Sequence, residues 1–211
     1  MTAQPNHSRH DRTHTEGYKP QSAPNALKVL QEKHREVGEK KDPTPEVVTL
    51  EGFTMIAVKA VGSMHQFELG KAVRKSWGIL QEKLNSNHEW KIDQDTGFVF
   101  YNHERMQRPD GQLELRVGVK VHSYDTLPYD VEVVDIPRRK YAKISCFCDG
   151  REVMENRYQL LNQWIEKEGF EIDTELGSYT LEPNRLTQFN PFDIPADEIQ
   201  TFDFDILYPI K

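Results

Sequence analysis

One carboxylate placed among aromatic rings is the feature of this sequence best suited to chemistry. In SYTLEPNRL, residues 178 to 186, Ser178, Tyr179, Thr180 and Leu181 have the character of a short strand, and Glu182 follows before Pro183 and Asn184. If Trp77, Tyr101 and Tyr158 gather around it, stacking and cation–π attraction favour a flat apolar cation. The carboxylate then supplies a partly desolvated counter-charge. With its pKa raised by apolar surroundings, the same group could act as a general base on water. Two other clusters carry less. Cys146 and Cys148, in AKISCFCDG, point to one face of a strand and are too few for a closed zinc site; they read as reduced, half-buried small hydrophobes. His7, His10 and His14 have helical spacing in a stretch with no reason to be helical. No metal site and no cofactor are expected.

The elements that must position these residues follow from composition and periodicity. Residues 1–45 are polar, with almost no aliphatic side chain before Leu27, and are expected to form a disordered tail and a short linker helix. Across all 211 residues, 29% are charged and the net charge is −7, which disfavours a nucleic-acid or anionic-membrane surface. There is no apolar run of the ~20 residues needed to cross a bilayer and no secretory signal, so a cytoplasmic location is expected. The body is expected over 46–211. EVVTLEGFTMIAVKAVGSM has strand content, and Val73, Trp77, Leu80 and Leu84 make a helical face. TGFVFYNHE and LELRVGVKVHS are strands joined by the turn MQRPDGQ. VEVVDIPRRKYAKISCFCDG is strand material again, and Met154, Tyr158, Leu161 and Ile165 line a second helix ended by Gly169. GSYTLEPN and FDFDILYPIK complete the order.

Strand, helix, strand, strand thus occurs twice. The expected fold is α+β: a tandem duplication, with halves at about 47–123 and 131–211, an antiparallel sheet, two helices and a groove between the halves. Superimposing the helices sets Trp77 opposite Tyr158. Carrying nearly the same offset into the strands sets Tyr101 opposite Leu181 and Asn102 opposite Glu182. The ligand-binding residues so expected are Glu182, Trp77, Tyr101, Tyr158, Asn102 and Tyr179, although aromatic residues at helical spacing more often fill a core.

In the second half, IPRRKYA (136–142), YQLLNQWIEKEG (158–169), TLEP (180–183) and YPIK (208–211) stand in order. Together they resemble the GyrI-like small-molecule-binding domains, the effector-binding domains of bacterial transcription activators, from about Val47 to Lys211. The resemblance implies a duplicated fold whose central acidic residue, by position Glu182, faces planar or cationic ligands. Members often carry Glu, any residue, then Tyr; here Pro183 and Asn184 follow Glu182, and TQFNPFDIPADE lengthens the approach to the last strand. Phe189 or Phe192 could fold back over the site.

Three functions follow from the resemblance. The first is a stand-alone domain binding planar or cationic amphipathic compounds, since 45 polar residues leave no room for a DNA-binding helix-turn-helix. The second is a hydrolase of reactive cyclopropane-containing electrophiles, with Glu182 as base and Tyr101 as donor. The third is a protein-binding modulator such as a gyrase inhibitor. The expected partner is an aromatic, cationic small molecule, with no direct contact to nucleic acid or membrane; a protein partner stays open, as does enzymatic activity.

Overall fold

The computed structural model describes residues 43–124 and 126–211. The expectations for the tail and its linker helix lie outside the described residues. Among the described residues there are nine strands: β1 (Glu46–Leu50), β2 (Phe53–Gly62), β3 (Lys91–Ile92), β4 (Thr96–Tyr101), β5 (Leu113–Ser123), β6 (Glu132–Ile136), β7 (Arg139–Asp149), β8 (Thr180–Arg185) and β9 (Thr201–Pro209). The helices are α1 (Glu68–Ser86) and α2 (Arg151–Glu168). All pairings are antiparallel, in the order β1-β7-β9-β8-β4-β5-β2-β6, with β3 also on β5. The α+β class is as expected.

Local chemistry explains the main boundaries. The alternation of Leu115, Val117, Val119 and Val121 puts one face of β5 under α1, and the strand has the limits its pattern predicts. Gly169 ends α2 in the left-handed region at φ 74°, its N–H bonding back to Ile165 and Glu166; Phe170 N–H bonds to Ile165 as well. In α1, Val73, Ser76, Trp77 and Leu80 are the buried stripe. Gln66 and Phe67, just before α1, both have positive φ (47° and 61°). Left-handed backbone is costly for a residue with a Cβ. Gln66→Gly is therefore expected to raise stability by about 0.5–1 kcal/mol, read as an increase in denaturation midpoint at constant m-value; no increase would mean the turn is not strained.

The sheet order is unchanged, read from its other end, when β1, β2, β4 and β5 are exchanged with β6, β7, β8 and β9. α1 packs on β2 and β5, and α2 on β7 and β9, so each helix lies over its own unit and β4 meets β8 at the centre. One expectation is corrected here. EVVTLEGFTMIAVKAVG is not a single strand: it breaks at Glu51-Gly52, and β1 crosses to pair with β7 while β6 pairs with β2. Each unit thus lends its first strand to the other.

The alignment of the halves is also corrected. The equal strands EVVTL and EVVDI begin at Glu46 and Glu132, and β2 and β7 begin at Phe53 and Arg139. Carrying that correspondence through the registers brings Val99 opposite Glu182 and Tyr101 opposite Asn184. Val99 and Glu182 are also direct partners across β4 and β8. The twofold relation therefore passes through this pair. Leu181 cannot match Tyr101, because it packs on the sheet face away from the helices with Phe98 and Phe100, whereas Tyr101 packs on the helix face.

Candidate functional site

Where β4 meets β8, the helix face of the sheet forms the floor of a cavity of about 570 Å³ between α1 and α2. Alternation along the two strands directs Val99 and Tyr101 from β4, and Glu182 and Asn184 from β8, into it. Leu181 and Phe100, one step along, are fully buried on the other side. Val73 and Arg74 of α1 and Met154 and Tyr158 of α2 form the walls. The volume lies within the range of drug-sized ligand pockets, roughly 300–1,000 Å³.

Glu182 is the acid on this floor, and its counterpart is the apolar Val99. Tyr158 Oη donates to Glu182 Oε1 at 2.9 Å. Burial pushes the Glu182 carboxyl up to about 7, and the Tyr158 hydrogen bond opposes that shift without cancelling it. Among the described residues no Lys, Arg or His lies within ion-pairing distance of it. The tyrosines around it respond in kind. Burial first, and the Glu182 charge second, raise the hydroxyls of Tyr158 and Tyr101 well above the usual phenol range and push Tyr208 up to about 12. His103 lies beside both Tyr101 (ring centroids 5.5 Å apart) and Tyr208 (5.0 Å), and burial lowers its pKa.

Of the residues expected from sequence, Glu182, Tyr101 and Tyr158 come together in the cavity. Trp77 does not line it. Its ring stacks on Phe192, centroids 4.4 Å apart and planes 23° from parallel, so Phe192 presents the aromatic surface to the cavity instead. Trp77 faces a second cavity of about 780 Å³ with Trp90, Gln81, Asp93 and Asp95. The stack needs Gly97 beneath it: a Cβ there would lie 2.7 Å from Phe192 and 3.0 Å from Trp77. Asn102 is spent on a loop, its Nδ2 donating to the carbonyls of Thr174, Glu175 and Ser178. Tyr179 packs edge-on against Phe100, on the far face of the sheet. Phe189 is buried under α2.

Sequence reasoning named Phe192 as a residue that could fold back over the site, but passed over the two arginines of the rim. The 3-10 turn Pro191–Asp193, capped by the Asn190 side chain, carries Phe192 over the groove. Arg74 from α1 donates to the carbonyls of Ile194, Gly70 and Pro191, and Arg151 from α2 donates to Ala196. One guanidinium from each helix thus holds this segment across the groove mouth. The signal was present in NPFDIP, whose prolines and Asn cap fix a turn, but Arg74 lies over a hundred residues before it and Arg151 lies 45 residues before Ala196. Cys146 and Cys148 lie buried under α2 with sulfurs 3.6 Å apart. Among the described residues no cluster of three His, Cys, Asp or Glu could hold a metal ion, and no helix is long and apolar enough to cross a membrane.

Residues 46–210 match the model of Cass2, the integron-associated effector binding protein family. The chain is similar to the EcmrR C-terminal domain, at 12% identity and a TM-score of 0.60 over 80% of this chain and 98% of that one. It is similar to EcmrR in a complex with DNA at 10% identity and a TM-score of 0.62, over 89% of this chain but only 65% of that chain. It is also similar to SAV2435, solved bound to tetraphenylphosphonium, at 12% identity and a TM-score of 0.50 over 80% and 94% of the two chains. At these identities the likeness is one of fold. No curated protein matches.

Proposed function

The chain belongs to the integron-associated effector-binding family, as its GyrI-like motifs imply, and on that premise we propose that it binds planar or amphipathic organic cations between α1 and α2. One observation carries the reading: a carboxyl with no cationic partner among the described residues sits at the floor of a largely apolar cavity. A half-buried carboxylate without a cationic partner is costly, and a ligand cation would supply the missing partner. Phe192, Tyr101, Tyr158 and Phe204 offer ring faces to its apolar body. The tetraphenylphosphonium held by SAV2435 suggests a probe of this chemistry.

Tetraphenylphosphonium and tetraphenylborate have nearly the same shape and opposite charge. Titration calorimetry at pH 8 is expected to show the cation binding at least about tenfold more tightly, a difference of ~1.4 kcal/mol. Equal affinities would reduce the cavity to a greasy cleft, and failure of both to bind would remove the reading. Hydrolysis is the second reading. It is favoured by a carboxyl that is half ionised near neutral pH and hydrogen-bonded by Tyr158, as a general base requires. The donor in that reading is Tyr158 rather than Tyr101. A ligand recovered with the mass of one added water would mark an enzyme; a ligand recovered unchanged would mark a binder.

A further inference from the structure

We propose that the cavity is bipolar and selects zwitterionic aromatic compounds, with their positive group at Glu182 and their negative group at the Arg151 guanidinium on the rim. The proposal rests on the counter-charge reading of Glu182 and adds a second pole to it.

Arg151 opens α2, and its guanidinium lies 4.8 Å from the centre of the Phe67 ring and 5.9 Å from that of Phe202. Both rings and Arg151 itself line the cavity. One of its five donors is used, by the Ala196 carbonyl at 2.8 Å, and among the described residues no carboxylate pairs with it. Glu155, one turn further along α2, is exposed at the same rim without reaching it. Arg74 is the second guanidinium at the mouth. Three of its donors go to carbonyls, and burial first and the Arg151 charge second bring its pKa down to about 10, partly offset by Asp197. Two positive groups therefore guard the mouth of a cavity whose floor holds one acid.

The geometry separates the poles. Arg151 and Tyr158 are seven residues apart on α2, which is roughly 10 Å of helix, and the Tyr158 hydroxyl marks the position of Glu182. A simple cation gains only the floor and must pass the guanidiniums. A compound with an amine or iminium at one end and a carboxylate at the other satisfies both ends. A planar guanidinium with unused donors also suits a carboxylate, because two parallel hydrogen bonds can form.

Tetramethylrhodamine methyl ester is a monocation, and its free acid, tetramethylrhodamine, is a zwitterion at pH 8. Fluorescence anisotropy with the full chain is expected to show the acid binding about tenfold more tightly than the ester. Arg151→Gln should remove that preference by weakening the acid about tenfold more than the ester, and Arg151→Lys should keep part of it. Should Arg151→Gln fail to fold, the wild-type ratio and Arg151→Lys still decide. An ester that binds as well as the acid, or a preference that survives Arg151→Gln, overturns the rim pole alone. If neither dye binds, the counter-charge reading beneath it falls too.

Discussion

Affinity for an organic cation is expected to rise about tenfold per pH unit up to pH 7 and then level off. The cause is Glu182, whose carboxyl sits at about 7 in the empty protein because burial penalises its charge. A cation binds the ionised form, so below pH 7 it must first displace a proton. The loss ends where the protonated form's own affinity takes over, about 1–3 kcal/mol weaker, the worth of a hydrogen bond to a charged group. Tetraphenylphosphonium titrated between pH 5 and 8, in buffers of different ionisation enthalpy, reads both the affinity and the proton released. Glu182→Gln should show the low-pH affinity at every pH and release no proton. A flat wild-type profile would place the positive charge elsewhere in the cavity.

The same shift has a consequence for stability, with the sign opposite to the usual carboxylate. Because the folded-state pKa lies above the unfolded value of 4.5, the folded protein holds this proton more firmly than the unfolded chain does. Its contribution is therefore most favourable below pH 4.5, declines as pH rises towards 7, and is constant above. Glu182→Gln should match wild type near pH 4.5 and exceed it by about 2–3 kcal/mol at pH 8, after allowance for the part of the side chain that faces the cavity. Denaturant melts at the two pH values test this. A variant less stable than wild type at pH 8 would show that the carboxylate is satisfied in the empty protein.

What the sequence disclosed depended on whether the cause was local. β5 and α2 were legible because alternation, helical spacing and a glycine cap act within a few residues. The place of Glu182 in the cavity was legible from the TLEP motif and the resemblance it carries, and that of Tyr158 because the helix stripe led to it. The exchange of β1 and β6 was not, since it is decided by which sheet edge each strand meets. Its clue was the near-identity of EVVTL and EVVDI. Aligning on the helices instead missed it, because the connection before α1, with its 3-10 turn, is longer than the one before α2. Trp77 has the spacing of a wall residue, and only the return of Phe192, over a hundred residues further along the chain, covers it.

Asn102 shows how two residues expected to share one task have opposite ones. Its side chain is buried and fully engaged. Nδ2 donates to Ser178 at 2.8 Å, Glu175 at 3.0 Å and Thr174 at 3.3 Å, while Oδ1 accepts from the N–H groups of Glu104 and Arg105 at 3.1 and 3.3 Å. It thereby ties the turn after β4 to the loop before β8, the two connections that set the central strands in register. Beside it, Arg139 bonds to both Asp173 and Ser178, so the loop is held from two sides. Asn102→Ala would leave several backbone groups without partners, at about 1–3 kcal/mol for a buried one, with water reaching the outer ones. The expected loss is about 2–4 kcal/mol in denaturant unfolding. Because Asn102 does not line the cavity, cation affinity measured on the folded fraction should change less than twofold. Glu182→Gln should do the reverse at pH 8, gaining stability and losing the cation. An Asn102→Ala protein that keeps its stability but loses the ligand would return Asn102 to the site and place the cavity floor one residue further along β4.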